Sequence, residues 1–367
     1  MKIASIESIQ LRIPVTGGRR LEVGSWGGAG VPTLDALIVK VTTDTGVVGW
    51  GETFGLAGIR TAKVAIDSLL APEFIGKDAT LVDRLMLDMQ KKFHIFGRSG
   101  GIIFGLSAID IALWDIAGKV ANKPVHQLLG GSDASSLRCY ASLVRYGDPE
   151  RVKENVRRAV ESGYRHLKLH EVSVECVRAA REAAGDDIEI TLDVNCPWSA
   201  REALDMTEKL RPFNLRWLEE PVWPPENYLG LARVRQEGGI PVAAGENAST
   251  LMDFQHLIEA KAVDFIQPSP AKMGGLTELK KVFALANANN VTVMVHSFYD
   301  GPGLLASVHA SAALTGPGAL VEWRFLDLEA QIYGDAIIPK NGAITVPHGP
   351  GLGLEPQEDV IREYRVA

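Results

Sequence analysis

The sequence predicts an α/β protein, a (β/α)₈ barrel of the TIM type that follows a smaller α+β segment. From about residue 137 onward, short apolar strand candidates alternate with charged helical stretches. Eight such strands fit into roughly 200 residues, which favours a barrel over an open doubly wound sheet. In addition, polar residues end the successive strands at nearly even intervals.

The first hundred or so residues show the α+β pattern. MKIASIESIQLRIPV has the apolar residues of a strand and lacks the continuous apolar core of a signal peptide. TLDALIVKVTTDTGVVGWGETF predicts two strands around the turn Asp44-Thr45-Gly46. Helical spacing of apolar residues follows in TAKVAIDSLLAPEF, ATLVDRLMLDMQKKF and GLSAIDIALWDIAGKVANKPVHQLLGG.

The eight strand candidates of the barrel are, in chain order, RCYASL, RHLKLH, IEITLD, LRWLEE, PVAAGE, VDFIQP, VTVMVH and ALVEW. Helices such as PERVKENVRRAVESG, AREALDMTEKLRP and LTELKKVFALANANN lie between them. No strand–helix junction carries the glycine-rich motifs of nucleotide-binding sheets.

Composition excludes several classes of protein. With 46% apolar and 23% charged residues, the 367-residue chain is neither disordered nor fibrous. A net charge of −7 argues against a nucleic-acid partner, because there is no basic excess to neutralise phosphates. No stretch approaches the roughly 20 apolar residues of a membrane span. Three cysteines without metal-binding spacing favour a reduced, cytoplasmic setting.

The polar residues at the strand ends are the candidate functional residues. They are Lys168 with His170, Asp193, Glu219, Glu246, Ser269, His296 and Glu322. The intervals from Lys168 onward are 25, 26, 27, 23, 27 and 26 residues, a regularity that random surface charge does not produce. Catalytic residues of such barrels lie at the C-terminal ends of the strands.

Three carboxylates in this series predict a metal site. Asp193, Glu219 and Glu246 end consecutive strands and would converge, and three inward carboxylates cannot all stay ionised without a counter-charge. Oxygen ligands suit Mg²⁺, with Mn²⁺ as an alternative, and fit zinc poorly. Glu220 follows Glu219 directly, so strand alternation predicts that it points to the opposite side.

These motifs, in this order, resemble the enolase superfamily and its mandelate racemase and muconate lactonizing enzyme branch. LDVN, WLEEP and AGEN look like that family's metal-ligand strand ends, and QPSPAKMGGLTE with VMVHSF look like its sixth and seventh strands. The resemblance implies a capping domain over 1–125, completed by about 350–367, and a barrel over 126–349. It also implies Mg²⁺ on Asp193, Glu219 and Glu246, and removal of a proton α to a carboxylate to give a metal-stabilised enediolate.

Further roles follow from this chemistry. Lys168 would face the substrate carboxylate and supply positive charge where negative charge develops. Glu322 resembles the family's carboxyl group that hydrogen-bonds the substrate carboxylate, for which it would have to be protonated. Asn195, on the strand face of Asp193, would contact a substrate oxygen, or is a turn residue before Pro197.

The chain departs from the family at two positions. His170 stands where racemase-like members have the second lysine of Lys-x-Lys, and imidazole can serve as a general base, with a pKa lowered by Lys168 and the metal. Ser269 stands where an aspartate would orient His296; serine can hold the imidazole but brings no charge. Lys272, in the following loop, is a candidate for neutralising a metal ligand or contacting substrate.

The departures favour dehydration of a hydroxylated acid such as a sugar acid, with His170 as base and His296 as acid. A racemase or epimerase of a hydroxy acid or amino-acid derivative is the alternative, and a non-catalytic binding protein is a third hypothesis. Arg19, Arg20 and Trp26 in the glycine-rich segment 16–30, together with the segment 51–58, are candidates for contacting the distal end of the substrate. The resemblance implies a homo-oligomer, either a dimer or an octamer.

Overall fold

The computed structural model of the protein describes residues 1–16, 33–131, 134–316 and 318–366. Its N-terminal part contains an antiparallel sheet in the order β1-β2-β3. The strands are β1 (Ile3–Pro14), β2 (Thr33–Thr43) and β3 (Val48–Thr53). The turn predicted between β2 and β3 is present, and the N–H of Gly46 donates to the carbonyl of Thr43 (3.0 Å).

Helical segments follow this sheet in the chain, and some of them pack on it. They are α1 (Ile59–Ala65), a π-helical turn (Ile66–Leu70), α2 (Ala71–Phe74), α3 (Val82–Phe93), α4 (Gly101–Ala121) and α5 (Val125–Leu128). Helix α4 is buried along most of its length, and it lies so close to β3 that only glycine fits at two facing positions. A Cβ atom on Gly49 would lie 2.1 Å from the carbonyl oxygen of Ala112, and one on Gly51 1.8 Å from that of Ala108.

Eight parallel strands form the second, strongly curled sheet. In chain order they are β4 (Ser136–Ser142), β5 (His166–Leu169), β6 (Glu189–Asp193), β7 (Leu215–Glu219), β8 (Val242–Ala244), β9 (Phe265–Ile266), β10 (Thr292–Val293) and β11 (Leu320–Arg324). The spatial order is β10-β9-β8-β7-β6-β5-β4-β11, so each strand neighbours the next in sequence and the last returns to the first. Antiparallel β12 (Ala343–Thr345) pairs with β4.

A helix follows each of the first seven strands. These helices are α6 (Pro149–Glu161), α7 (Val174–Ala184), α8 (Ala200–Leu210), α9 (Tyr228–Glu237), α10 (Leu251–Glu259), α11 (Gly275–Ala288) and α12 (Pro302–Leu314). Side chains of Asp148, Ser173 and Ser199 cap α6, α7 and α8 by accepting a backbone N–H of the first turn. After β11 come a 3₁₀ turn (Gly334–Ile337), β12 and α13 (Glu358–Tyr364). The predicted barrel fold is therefore confirmed as seven β–α units and a closing strand.

The barrel interior is filled below the strand ends. Tyr140, Trp217, Ala243, Met294 and Leu320 form one buried cluster. Three of them lie exactly two residues before a candidate functional residue, so strand alternation turns both to the same side. This buried cluster fills the barrel interior, and the candidate functional residues lie beyond it at the C-terminal ends of the strands.

The C-terminal tail packs on the first sheet. The N–H of Val366 donates to the carbonyl of Gln10 (2.8 Å), and Arg365 forms an antiparallel bridge with Leu11. This contact agrees with a capping domain that the tail completes, although the domain boundaries at 125 and 349 remain a prediction.

The expectation that no stretch approaches the length and apolar character of a membrane span is wrong for helix α4. Over Gly101–Ala121 it is long and apolar enough to cross a membrane by length and composition, but its most apolar window is 78% buried inside the protein. The core helix of a soluble protein passes the same test. The buried carboxylates of Asp110 and Asp115 accept backbone N–H groups of Thr277 and Leu352, which ties α4 to the barrel and to the tail.

Candidate active site

Three carboxylates converge at the rim of the barrel, as the strand intervals predicted. Asp193 and Glu219 are the last residues of β6 and β7, and Glu246 lies two residues beyond β8. One ligand oxygen from each lies within 4.8 Å of the others. Asp193 and Glu219 are fully buried.

Lys168, the third residue of β5, lies among these carboxylates. Its Nζ is 2.7 Å from Glu219 Oε1, 3.1 Å from Asp193 Oδ2 and 3.2 Å from Glu322 Oε1. The side chain has no exposed surface, and although burial lowers its pKa, the surrounding carboxylates hold that pKa well above the ordinary value. Lys168 is therefore a permanent positive charge at the centre of the rim.

The donor set fits a hard divalent cation. Four carboxylates, those of Asp193, Glu219, Glu246 and Glu322, face the ammonium groups of Lys168 and Lys272, so the cluster retains an excess of negative charge. Burial and the neighbouring charge of Asp193 raise the pKa of Glu219 to about 7, which reflects this excess. Among the described residues, the buried Oδ2 of Asp193 has no hydrogen-bond partner of good geometry, although Lys168 Nζ and His170 Nε2 lie 3.1 and 3.4 Å away. An all-oxygen set of this kind is what Mg²⁺ or Mn²⁺ binds.

Glu322 at the centre of β11 differs from expectation in its protonation. Ser142 Oγ donates to Oε1 (2.8 Å), and the N–H of Ser297 donates to Oε2 (2.9 Å). Burial raises its pKa, but these donors together with Lys168 and His296 lower it below the ordinary value. The donors and Lys168 therefore favour the carboxylate form of Glu322 in this metal-free structure, in the direction opposite to the expected one.

His170 follows β5 directly and shares Asp193 with Lys168. Its Nδ1 lies 2.5 Å from the carbonyl oxygen of Leu143, and its Nε2 lies 3.4 Å from Asp193 Oδ2. A carbonyl only accepts, so in the neutral ring Nδ1 carries the proton and Nε2 the lone pair. Burial lowers its pKa, yet Asp193 raises it to a net value above the ordinary one. Without a metal, Asp193 thus outweighs Lys168, and the lowering of the His170 pKa by a bound cation stays a prediction.

His296 lies on the segment after β10, where its N–H donates to the carbonyl of Pro268 (3.1 Å). Nδ1 of the ring is 3.2 Å from Ser269 Oγ, and Nε2 is 3.0 Å from Glu246 Oε2. Ser269 thus contacts the imidazole, the contact that its place in the sequence suggested.

A cavity of about 380 Å³ opens beside this cluster. Polar groups on its wall include His170, His296, Glu246, Asn195 and Lys272. The apolar part of the wall consists of Phe54, Leu56, Trp223, Pro225 and Phe298. The segment 51–58 of the N-terminal part therefore reaches the cavity through Phe54–Leu56 and Gly58.

Two of the remaining residues predicted to contact the substrate, Lys272 and Asn195, line the cavity. Lys272 Nζ is 3.7 Å from Glu246 Oε1 and lies 4.3 Å from the centre of the Phe54 ring, so it does neighbour a predicted metal ligand. Asn195 lies on the cavity wall and has left-handed backbone (φ 53°), which ends the strand there. Arg19, Arg20 and Trp26 lie outside the described residues.

Glu220 was expected on the opposite face, and that expectation was wrong. Its backbone has φ 47°, which breaks the alternation of β7, and its buried carboxylate lines the cavity. The amide of Asn247 donates to it (2.8 and 3.0 Å). No sequence periodicity reveals a left-handed residue at a strand end.

Arg145 is a second residue that sequence reasoning missed. Its Nε donates to the carbonyl of His170 (2.5 Å), and its Nη2 lies 3.4 Å from Asn195 Oδ1. It thereby links the ends of β5 and β6. Its position, three residues after β4, follows the rule that functional residues lie beyond strand ends and could have been found that way.

Two family models match the chain. The mandelate racemase / muconate lactonizing enzyme N-terminal domain matches residues 29–130, and the enolase C-terminal domain-like model matches residues 151–360. The chain belongs to the mandelate racemase and muconate lactonizing enzyme family. The resemblance drawn from LDVN, WLEEP and AGEN is thereby confirmed.

Individual relatives match this chain over nine-tenths of its length or more. Arabinonate dehydratase of Saccharolobus solfataricus is 32% identical over 342 residues, which cover 90% of this chain and 91% of that protein. The crystal structure of 3,6-anhydro-D-galactonate cycloisomerase from Zobellia galactanivorans has a TM-score of 0.87 at 31% identity and covers both chains fully. A racemase from Streptomyces coelicolor A3(2) with bound magnesium has a TM-score of 0.87 at 28% identity over 99% of this chain and all of that chain.

Proposed function

We propose that this protein dehydrates a hydroxylated carboxylic acid of the sugar-acid class, removing the α-proton and then the β-hydroxyl group. One observation carries the proposal: two histidines, His170 and His296, line the same cavity beside the buried Lys168 and its carboxylates. The similarity to arabinonate dehydratase supports the substrate class. The substrate is thus a small carboxylate, and both this reaction and its alternative make the protein an enzyme.

Asp193, Glu219 and Glu246 would hold Mg²⁺, or Mn²⁺ in its place, as the magnesium-bound racemase relative supports. The cation would supply positive charge against the substrate carboxylate, whose negative charge grows when the α-proton leaves. Lys168 would donate to the same carboxylate from a position where the protein has excluded water.

Each histidine would perform one proton transfer. His170 uses the Nε2 lone pair, because Leu143 holds the proton on Nδ1, and removes the α-proton. His296, as the imidazolium, would donate a proton to the β-hydroxyl and become neutral, while the hydroxyl departs as water and the Cα–Cβ double bond forms. The resulting enol becomes a 2-keto acid. The amide of Asn195 and the ammonium group of Lys272 would contact substrate hydroxyl groups along the cavity wall.

Incubation with MgCl₂ and a panel of aldonic and aldaric acids tests the proposal. We expect a 2-keto product from at least one acid, and exchange of its α-proton in deuterated water. His170→Asn should lower both by about 10²–10⁴-fold, whereas His296→Asn should lower only dehydration.

An epimerase would give a different result in the same assay. Exchange at Cα without a keto product, from both 2-epimers of one acid, would replace dehydration by epimerisation. Failure of every acid to exchange or react, with Mg²⁺ bound, would contradict both.

We further infer a homo-oligomer, a dimer or an octamer, which the family resemblance supports and light scattering would measure. A cytoplasmic setting is inferred from the cysteines. Cys139, Cys176 and Cys196 are all unpaired in the structure.

A further inference from the structure

We infer that Arg145 and Glu171 form a clasp between the loops after β4 and β5, in which each side chain binds the backbone of the other loop, and that this clasp positions His170 to remove the α-proton. Both are positioning residues, since their side chains bind the backbone around His170 and not the substrate. The clasp stands on its contacts alone, and its catalytic consequence rests on the proposed function.

The hydrogen-bond ladder between β4 and β5 ends just before His170. Among the described residues, its last backbone bond runs from the N–H of Leu143 to the carbonyl of Lys168 (2.9 Å), and β5 ends at Leu169. Backbone groups beyond this point have no facing strand to bind, and buried backbone groups require a partner. Side chains therefore have to supply the bonds that fix the backbone at His170.

Two charged side chains supply these bonds in opposite directions. Nε of Arg145 donates to the carbonyl of His170 (2.5 Å). The carboxylate of Glu171 accepts the N–H groups of Tyr146 (2.7 Å) and Gly147 (3.2 Å). Glu171 is 2% exposed, so water hardly competes for these bonds. Hydrogen bonds with one charged partner are stronger than neutral ones, and the two loops are therefore held firmly against each other.

The clasp adds to the contact that holds the ring of His170. Nδ1 of the ring lies 2.5 Å from the carbonyl oxygen of Leu143, two residues before Arg145. The segment 143–145 thus holds His170 at its ring and at its backbone carbonyl, which fixes the direction of Nε2. Proton transfer requires a short distance between the two heavy atoms, so a small displacement of this ring should slow it strongly.

The same guanidinium group reaches the end of β6. Nη2 of Arg145 lies 3.4 Å from the carbonyl oxygen of Val194 and 3.4 Å from Asn195 Oδ1. A guanidinium group can only donate, so it faces the oxygen of the Asn195 amide and leaves the NH₂ group on the other side. Asn195 lines the cavity, where this NH₂ group would donate to a substrate oxygen.

Hydrogen exchange measures the clasp without a substrate. We would follow deuterium uptake of the full-length protein by mass spectrometry, with excess MgCl₂, in peptides that contain Tyr146 and Gly147. We expect slow exchange of these two amides in the wild type. Glu171→Gln replaces one acceptor oxygen by an NH₂ group, and Arg145→Met removes the donor to His170. Uptake should become about tenfold faster in each variant, the effect of one hydrogen bond.

Arg181 provides a matched control. Its Nη1 donates to the carbonyls of Gly185 and Ile188 (2.9 and 2.7 Å), and its Nε donates to that of Phe213 (3.0 Å). These bonds join the segments before β6 and β7, at the end of the barrel opposite to the cavity. Arg181→Met removes a guanidinium group from backbone carbonyls in the same way, and it should change neither the uptake at Tyr146 nor catalysis.

Catalysis supplies the second readout. Arg145→Met should lower kcat for α-proton exchange and for dehydration together by about 10²-fold, because both reactions require removal of the α-proton. The stoichiometry of Mg²⁺ binding in calorimetry should not change, which excludes a loss of folded protein. The deuterium isotope effect on dehydration of the α-deuterated acid should be no smaller than in the wild type. Arg145→Lys should recover part of the rate, since an ammonium group can bind one carbonyl but cannot join β5 and β6.

Three results would overturn the inference. They are rapid exchange of the Tyr146 and Gly147 amides in the wild type, an Arg145→Met rate no lower than that of Arg181→Met, and an isotope effect below the wild-type value, which would assign the lost rate to a later step. If uptake behaves as expected but the wild type neither dehydrates any acid nor exchanges its α-proton, the proposed function fails while the clasp around His170 stands.

Discussion

Lys168 is fully buried, yet its ammonium group contacts three carboxylates within 3.2 Å. A buried cation is costly unless it is paired with an anion. Here one ammonium group has three carboxylate partners. The ammonium group therefore lowers the repulsion within the cluster, and under the proposed function it would also supply positive charge to the substrate carboxylate.

Replacement of this lysine separates catalysis from metal binding. Lys168→Met should lower α-proton exchange by about 10²–10³-fold, because one preorganised positive charge is lost. Mg²⁺ binding measured by calorimetry should persist, since the three acidic ligands remain. Lys280→Met on α11, which removes an ammonium group paired with Asp83 of α3, is the control and should leave exchange unchanged. Loss of Mg²⁺ binding in Lys168→Met would contradict the separate role of Lys168.

At the scale of elements, the contact between β3 and α4 depends on glycine. Gly49 and Gly51 are two residues apart and present the same face of β3 to the backbone of α4. The close approach brings the segment after β3, with Phe54, to the cavity.

A methyl group at this contact should be poorly tolerated. Gly51→Ala places a Cβ 1.8 Å from the carbonyl oxygen of Ala108, so backbone must move, and we expect a loss of about 3 kcal/mol in the free energy of unfolding. Gly316→Ala, where a Cβ meets nothing within 4 Å, is the control. Urea unfolding of both variants measures the difference. Equal stability of the two would show that α4 and β3 can separate without cost.

Elements were easier to predict than the ends of elements. The period of alternating strands and helices, and one polar residue per unit, place Asp193, Glu219 and Glu322 on the sheet. Glu246, Ser269 and His296 instead lie beyond very short strands, in segments whose position depends on tertiary hydrogen bonds. The direction of Glu220 depends on a single left-handed residue. Protonation of Glu322 depends on donors from two other strand ends, which no local pattern in the sequence contains.

The whole molecule is held together at buried polar contacts between its N-terminal part, barrel and tail. Glu52 of β3 accepts the N–H groups of Gly301 and Gly303 at the start of α12 (3.0 and 2.8 Å). His309 on α12 accepts the N–H of His126 on α5 and contacts the carbonyl of Leu352 in the tail. These contacts join segments far apart in sequence. A change in the protonation of Glu52 or His309 should therefore affect the stability of the whole molecule.

His309 should make the protein less stable in acid. Burial lowers its pKa from 6.5 to about 4, even though the bond to Leu352 raises it. The unfolded chain then binds the extra proton, and the contribution of His309 to stability, present above pH 6.5, falls as pH drops towards 4. Comparison with His309→Gln removes the contribution of titratable groups away from this position, and His126→Gln measures that of the histidine stacked on His309.

The stability advantage of wild type over His309→Gln should shrink by about 2.5 kcal/mol between pH 7.5 and pH 4.5. Urea unfolding at both pH values measures it. A constant difference would mean that His309 titrates alike in the folded and unfolded chain.

Metal removal tests the charge balance of the whole molecule. The acidic cluster has more carboxylates than Lys168 can neutralise, so a divalent cation that binds only the folded chain should stabilise it. At a hundredfold excess over its Kd, Mg²⁺ should add about 2.7 kcal/mol to the free energy of unfolding, and chelation by EDTA should reverse this.

A ligand variant and a matched control complete that test. Asp193→Asn should lose the Mg²⁺ response in thermal unfolding, because a neutral amide replaces a buried carboxylate ligand. Asp205→Asn, on the exposed side of α8, should keep the response. Stabilisation that survives in Asp193→Asn would place the cation elsewhere on the molecule. Loss of the Mg²⁺ response in Asp193→Asn but not in Asp205→Asn would show that the cation stabilises the whole chain through the site that contains Asp193. Asp193 is one of the three residues that the strand intervals first indicated.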